Sequence, residues 1–97
     1  MIELREALAI HTTLIKKFGG ADGVREQSLL ESALARPLAT FDGIDLYPTI
    51  IEKAAALFES LVKNHPFMDG NKRIAYTLMR YVLIMNGCDI TASESEK

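Results

Sequence analysis

Nine consecutive residues, His65-Pro66-Phe67-Met68-Asp69-Gly70-Asn71-Lys72-Arg73, hold a base, a carboxylate, two cations and a turn glycine. Histidine titrates near neutrality, so His65 is the candidate general base for a hydroxyl nucleophile. Asp69 offers hard oxygen ligands. Magnesium is typically held by one or two carboxylates plus the substrate's own phosphates, so a lone aspartate is enough. Gly70 permits φ > 0 just ahead of a helix start, which lets the amides of Gly70, Asn71 and Lys72 converge on one point. Unpaired N–H groups at a helix N-terminus, backed by the helix dipole, form an anion site. Lys72 and Arg73 add full charges, and the arginine fork matches phosphate oxygens. Phosphate is the ligand this combination fits.

Such a constellation works only if neighbouring elements hold it still, and the chain reads as helices on both sides of it. Leu4, Ala7, Leu8, His11, Leu14, Ile15 and Phe18 recur at i, i+3, i+4 spacing, which predicts a first helix with an apolar stripe, capped by Gly19-Gly20. His11 inside that stripe reads as a core histidine, or one supporting the site from behind, rather than a catalytic group. Residues 19–27 read as a polar loop. Ser28 and Glu31 have capping-box spacing for a second helix, with a start a few residues earlier as the alternative, and Pro37 stops it. Arg25 and Arg36 read as solvated or capping charges in preference to nucleotide ligands. Residues 38–47 fit no regular element; Phe41, Ile44 and Tyr47 either present a binding surface or fold back on the core.

Thr49 and Glu52 repeat the capping-box spacing and open a third helix, whose phase places His65 on the face of Ile50, Ala54, Leu57, Phe58 and Leu61 and so aims it inward. Phe67 alternates with His65 and Asp69 and is expected to anchor the loop in the core. The fourth helix, from about Asn71 to Asn86, carries only Lys72, Arg73 and Arg80 as charges and is expected to lie centrally, with Tyr76, Met79, Tyr81 and Met85 as packing. Gly87 caps it. Residues 92–97 read as a polar end, unless Ser93 starts a helix.

Length and composition bound the answer. With 97 residues the chain is one domain, 1–97. A chain of this size buries about 60–65% of its unfolded surface. A net charge of −2 gives no general attraction to nucleic acid. One cysteine, Cys88, excludes an internal disulfide and fits a reducing cytoplasm. The start of the chain lacks the basic region and apolar run of a signal peptide, and no segment approaches the ~18 apolar residues of a membrane span.

At its central motif the sequence resembles the Fic/Doc superfamily, whose pattern is His-Pro-Phe-x-Asp-Gly-Asn-x-Arg. Lys72 in the penultimate position is similar to the Doc (death-on-curing) branch, where Fic enzymes usually carry glycine. Phe18-Gly19-Gly20, Leu29 to Leu34, Arg36-Pro37 and Glu52 to Ala55 also look like the Doc pattern. The resemblance implies an all-α, compact helical bundle around a central apolar helix, with the motif in a helix-loop-helix. It also implies that the family's final helix is missing here. It implies His65 as base, Phe67 as anchor, Asp69 as Mg²⁺ ligand, Gly70 and Asn71 as anion hole, and Lys72 and Arg73 as phosphate contacts. The implied protein is the toxin of a bacterial toxin–antitoxin pair that uses ATP and Mg²⁺ to phosphorylate a threonine of elongation factor Tu and block translation.

Where Fic enzymes have a second arginine, three residues after the first, this chain has Tyr76. That departure, with Lys72, favours γ-phosphoryl transfer over AMP transfer. AMP transfer to a protein hydroxyl and an inactive, truncated binding module are the alternatives. The superfamily's internal inhibitory pattern is not found in the sequence, so the resemblance implies a separate Phd-type antitoxin.

Overall fold

The computed structural model describes residues 1–88, so the reading of residues 92–97 falls outside the described residues. The first helix, α1 (Leu4–Phe18), opens on a reciprocal capping box in which the Glu3 amide donates to Glu6 Oε1 at 2.9 Å. Ala7 and His11 are its buried residues. Phe18 departs from the expected stripe and is 53% exposed. It is the last helical residue, beyond Leu14, which still packs against the core.

Helix α2 (Gln27–Ala35) starts one residue before Ser28, and the anticipated Ser28–Glu31 capping box does not form. Ser28 Oγ donates to Glu26 Oε2, and Glu31 accepts from the Gln27 side chain instead. Pro37 ends the helix as expected and is buried in a single 3₁₀ turn, Arg36–Leu38. The following segment is more regular than its sequence suggested. Strands β1 (Thr40–Phe41) and β2 (Ile44–Asp45) pair antiparallel, with Phe41 opposite Ile44. Asp42 and Gly43 both have positive φ, 53° and 76°. That is the type I′ geometry whose twist matches paired strands, and the Asp-Gly dipeptide is its sequence signal.

Helix α3 (Ile50–Asn64) has the predicted Thr49–Glu52 capping box, and α4 (Asn71–Met85) ends in a turn where the Cys88 amide reaches Leu83 O at 2.7 Å around Gly87. The two helices pack on each other more extensively than any other pair among the described residues. One core cluster joins Leu30 of α2, Leu57 and Leu61 of α3, and Ile74 and Leu78 of α4, with Phe67 from the connection. Helix α4 is not covered all round. Ile74, Ala75, Leu78, Val82 and Leu83 are buried, and Met79 and Tyr81 pack against the core, but Tyr76 and Met85 are exposed. Their apolar character therefore is not explained by packing. The fold is mostly helical, as expected, with one small hairpin. Among the described residues no helix is long and apolar enough to cross a membrane.

Candidate functional site

The connection between α3 and α4 is built by exchanging regular hydrogen bonds for specific ones. Helix α3 stops at Asn64, and His65 is its C-cap in the left-handed conformation, φ 48° and ψ 56°. A proline at the next position disfavours continuation of the helix. Consequently His65 no longer follows the helical phase. It is exposed rather than aimed inward, which corrects the expectation from periodicity. Histidine is among the few residues that tolerate this region, but the conformation still costs on the order of 1–3 kcal/mol and must be held by its surroundings.

The loop between α1 and α2 does the holding. Arg25 Nε donates to His65 O and Arg25 Nη2 to Asn64 O, both at 2.7 Å. The amides of Arg25 and Glu26 both reach Pro66 O, and the Met68 amide reaches Gly23 O at 3.0 Å. Val24 and Phe67 form an antiparallel bridge. Arg25 is thus a capping charge on the carbonyls flanking the candidate base, one of the two bland roles its sequence allowed.

From below, Phe67 is 1% exposed and acts as the anchor its alternation implied. His11 lies flat against it, with ring centroids 3.8 Å apart and planes 9° apart. Nε2 of His11 donates to Asp69 O at 2.7 Å; because a carbonyl only accepts, this nitrogen carries hydrogen. Nδ1 lies 3.4 Å from Asp22 Oδ1. His11 is therefore the supporting histidine expected from its place in the stripe. Asn71 closes the loop from the other side: its side chain accepts from the Phe67 amide and donates to Phe67 O, both at 3.0 Å. Its side chain is thereby tied to Phe67 through its oxygen and one of its two N–H groups.

Gly70 is the N-cap of α4 with φ 73°, as the turn requires. Asp69 Oδ1 accepts from the Gly70 amide at 2.9 Å, and Oδ2 faces the Ala21 amide at 3.4 Å. Gly20 has φ 115°, a backbone that L side chains rarely adopt, and a Cβ there would lie 2.9 Å from that same oxygen and displace the carboxylate. Above these groups lies an open cavity of about 470 Å³ lined by His65, Met68, Asp69, Gly70, Asn71, Lys72 and Arg73. Every predicted site residue except the anchor Phe67 lines it.

The donor set suits one kind of metal. Among the described residues no group of three or more histidine, cysteine or acidic side chains could form a metal cage. Asp69 is exposed, with its carboxylate directed by two amides. A single carboxylate beside two cations fits magnesium that keeps water and a ligand's phosphates as its other ligands.

Arg36 does not reach this cavity. It ties the hairpin base to α3, donating to Tyr47 Oη at 3.0 Å and Ser60 Oγ at 2.9 Å and pairing with Glu59 at 2.7 Å. The hydrogen bonds to Tyr47 and Glu59 raise its pKa, and Arg36 followed by Lys63 lowers that of Glu59. Residue types and spacing gave Gly20, Asp22 and Phe18 no role at the site. The signal available for the first was the glycine pair, since a helix C-cap needs only one.

A family model described as the Fic/DOC family matches residues 1–83. The protein named Toxin Doc from Mycolicibacterium smegmatis is 48% identical over 75 residues, which cover 77% of this chain and 58% of that relative. The chain thus spans little more than half the length of the curated relative it matches. No solved structure matches.

Proposed function

The chain belongs to the Fic/DOC family, and on that premise we propose that it is the toxin of a bacterial toxin–antitoxin pair, transferring the γ-phosphoryl group of ATP to a threonine hydroxyl of elongation factor Tu. One observation carries the reading: a single cavity gathers a solvent-facing histidine, one directed carboxylate, two cations and the N-terminus of α4. The toxin named in Mycolicibacterium smegmatis, similar over 77% of this chain, supports the pairing with an antitoxin, which we take to be of the Phd type acting in the cytoplasm.

His65 takes the proton of the hydroxyl as its oxygen forms a bond to the γ-phosphorus. The bond from that phosphorus to the bridging oxygen breaks, and ADP leaves with the electron pair. The Gly70 amide is engaged by Asp69 Oδ1, so the amides of Asn71 and Lys72, with the Lys72 and Arg73 side chains, hold the phosphates and stabilise the negative charge. Bound at Asp69, Mg²⁺ would supply further charge neutralisation on those phosphates. Most of the acceleration in such a site comes from positioning and electrostatics. Tyr76, one turn beyond Arg73, leaves one cation fewer than a Fic-type site, which favours attack at the γ rather than the α phosphorus. The hairpin, with Phe41 and Ile44 turned to solvent, is the surface on which we place the target segment.

The experiment is intact-mass analysis of elongation factor Tu after incubation with this chain, Mg²⁺ and ATP. One added phosphate, reduced ~10²–10⁴-fold in rate by His65→Ala, is the expected result. An added adenylate would replace the kinase reading with AMP transfer. An unmodified target would remove elongation factor Tu from the proposal.

A further inference from the structure

Phe18 is an exposed aromatic ring at the last position of α1, outside the core that Leu4, Ala7, Leu8 and Leu14 of its stripe join. What covers it is charge. The Arg73 guanidinium carbon lies 4.2 Å from the ring centroid, and Lys17 Nζ lies 5.7 Å from the same point. No carboxylate among the described residues pairs with Arg73. A guanidinium drawn to a ring in this way spends none of its N–H groups on a carboxylate, and they stay available to an oxyanion.

An arginine left in solvent samples many rotamers, and a ligand that needs one of them is bound more weakly for it. We propose that Phe18 is a positioning residue: its ring holds the Arg73 guanidinium over the cavity, ready for the phosphates of a nucleotide. The proposal rests on the reading of this cavity as a phosphate site. Phe18 is not among the residues lining the cavity, so it acts through Arg73 and not by touching the ligand. The chain that follows it is fitted to the same end. Gly19 turns the backbone away with φ 89°, Gly20 packs against the Asp69 carboxylate, and the Ala21 amide faces it. The end of α1 thereby sets two of the side chains that line the cavity, Arg73 through a ring and Asp69 through the backbone.

The test is a double-mutant cycle on Mg·ATP affinity, measured by titration calorimetry with Phe18→Leu, Arg73→Ala and the combined variant, together with Phe18→Tyr as rescue. Exposed cation–π contacts correspond to ~2–5-fold in affinity, so Phe18→Leu is expected to weaken binding by that factor and Phe18→Tyr to restore it. In the Arg73→Ala background Phe18→Leu should have no further effect. A second readout is independent of nucleotide. The NMR signals of the Arg73 side chain should be displaced by the ring current in the parent and Tyr chains, and return to ordinary positions in Phe18→Leu. Unchanged affinity in Phe18→Leu, or an equal loss with and without Arg73, would overturn the proposal. A ring-current shift without any binding of Mg·ATP would show that the stack exists while the phosphate reading of the cavity fails, and the positioning role would fall with it.

Discussion

The motif loop and the hairpin are both connections on the surface, and the structure treats them in opposite ways. Residues 64–70 are fixed from three sides by the α1–α2 loop, by His11 and Phe67 beneath, and by the Asn71 side chain. The hairpin at residues 40–45 is fixed only at its base, where Lys53 reaches Asp45 and the carbonyls of Pro37 and Tyr47, and Arg36 reaches Tyr47. Its apolar tip side chains, Phe41 and Ile44, are 69% and 71% exposed. Chemistry needs groups held to a fraction of an ångström, whereas recognition of another chain's segment tolerates adjustment. On the proposed function, rigidity lies where a proton would move and latitude where a partner would fit.

Substitutions at the two aromatic residues would test that contrast most severely. Phe67→Ala should lower stability by about 3–5 kcal/mol and abolish transfer, because it removes the anchor and the partner of His11. Phe41→Ala should leave stability within about 0.5 kcal/mol while slowing modification of a protein target more than ATP binding. Equal thermal shifts for the two in calorimetry would break the comparison.

Next in size is Arg25→Ala. Loss of its two bonds to Asn64 O and His65 O should cost about 1–3 kcal/mol and lower kcat more than it raises KM for ATP, since the carbonyls it caps flank the base. A variant that shifts the melting point but leaves kcat unchanged would make Arg25 a cap and nothing more.

The smallest effect belongs to the hairpin's support. Arg36 first, and Lys63 second, hold the Glu59 carboxyl below the ordinary range, so its folded value lies under its unfolded one. Its contribution to stability is therefore present above the ordinary carboxylate range and lost as pH falls through the lowered value. The melting-point difference between the parent chain and Glu59→Gln should be small at neutral pH and vanish in acid. A difference that grows in acid would contradict the sign.

What could be read beforehand follows the distance over which each rule acts. The capping box at Thr49–Glu52, the turn at Gly70, and the gathering of His65, Asp69, Lys72 and Arg73 around one cavity are local, so residue types and short spacings disclosed them. The inward aim given to His65 was wrong because helical phase was carried one residue past the point where the left-handed turn cancels it. The hairpin was legible in Asp42-Gly43, but its strands are too short to show alternation. His11 to Asp69 spans 58 positions and Arg25 to His65 spans 40, and a single sequence contains no rule that pairs residues so far apart. The same limit hid Phe18, whose apolar character fits a core stripe as well as it fits a platform for Arg73.

The bonds from Arg25 have one further consequence, which concerns the sign of the electric field in the cavity. Two helix ends meet at the motif, and their polarities oppose. The start of α4 presents about half a positive charge, and the end of α3 presents about half a negative one on its last carbonyls. Left alone, the second would repel the anion that the first attracts. A guanidinium donating to two of those carbonyls places a full positive charge on the unfavourable pole. The negative pole at the end of α3 is thereby offset, and on the proposed phosphate reading it opposes an approaching anion less.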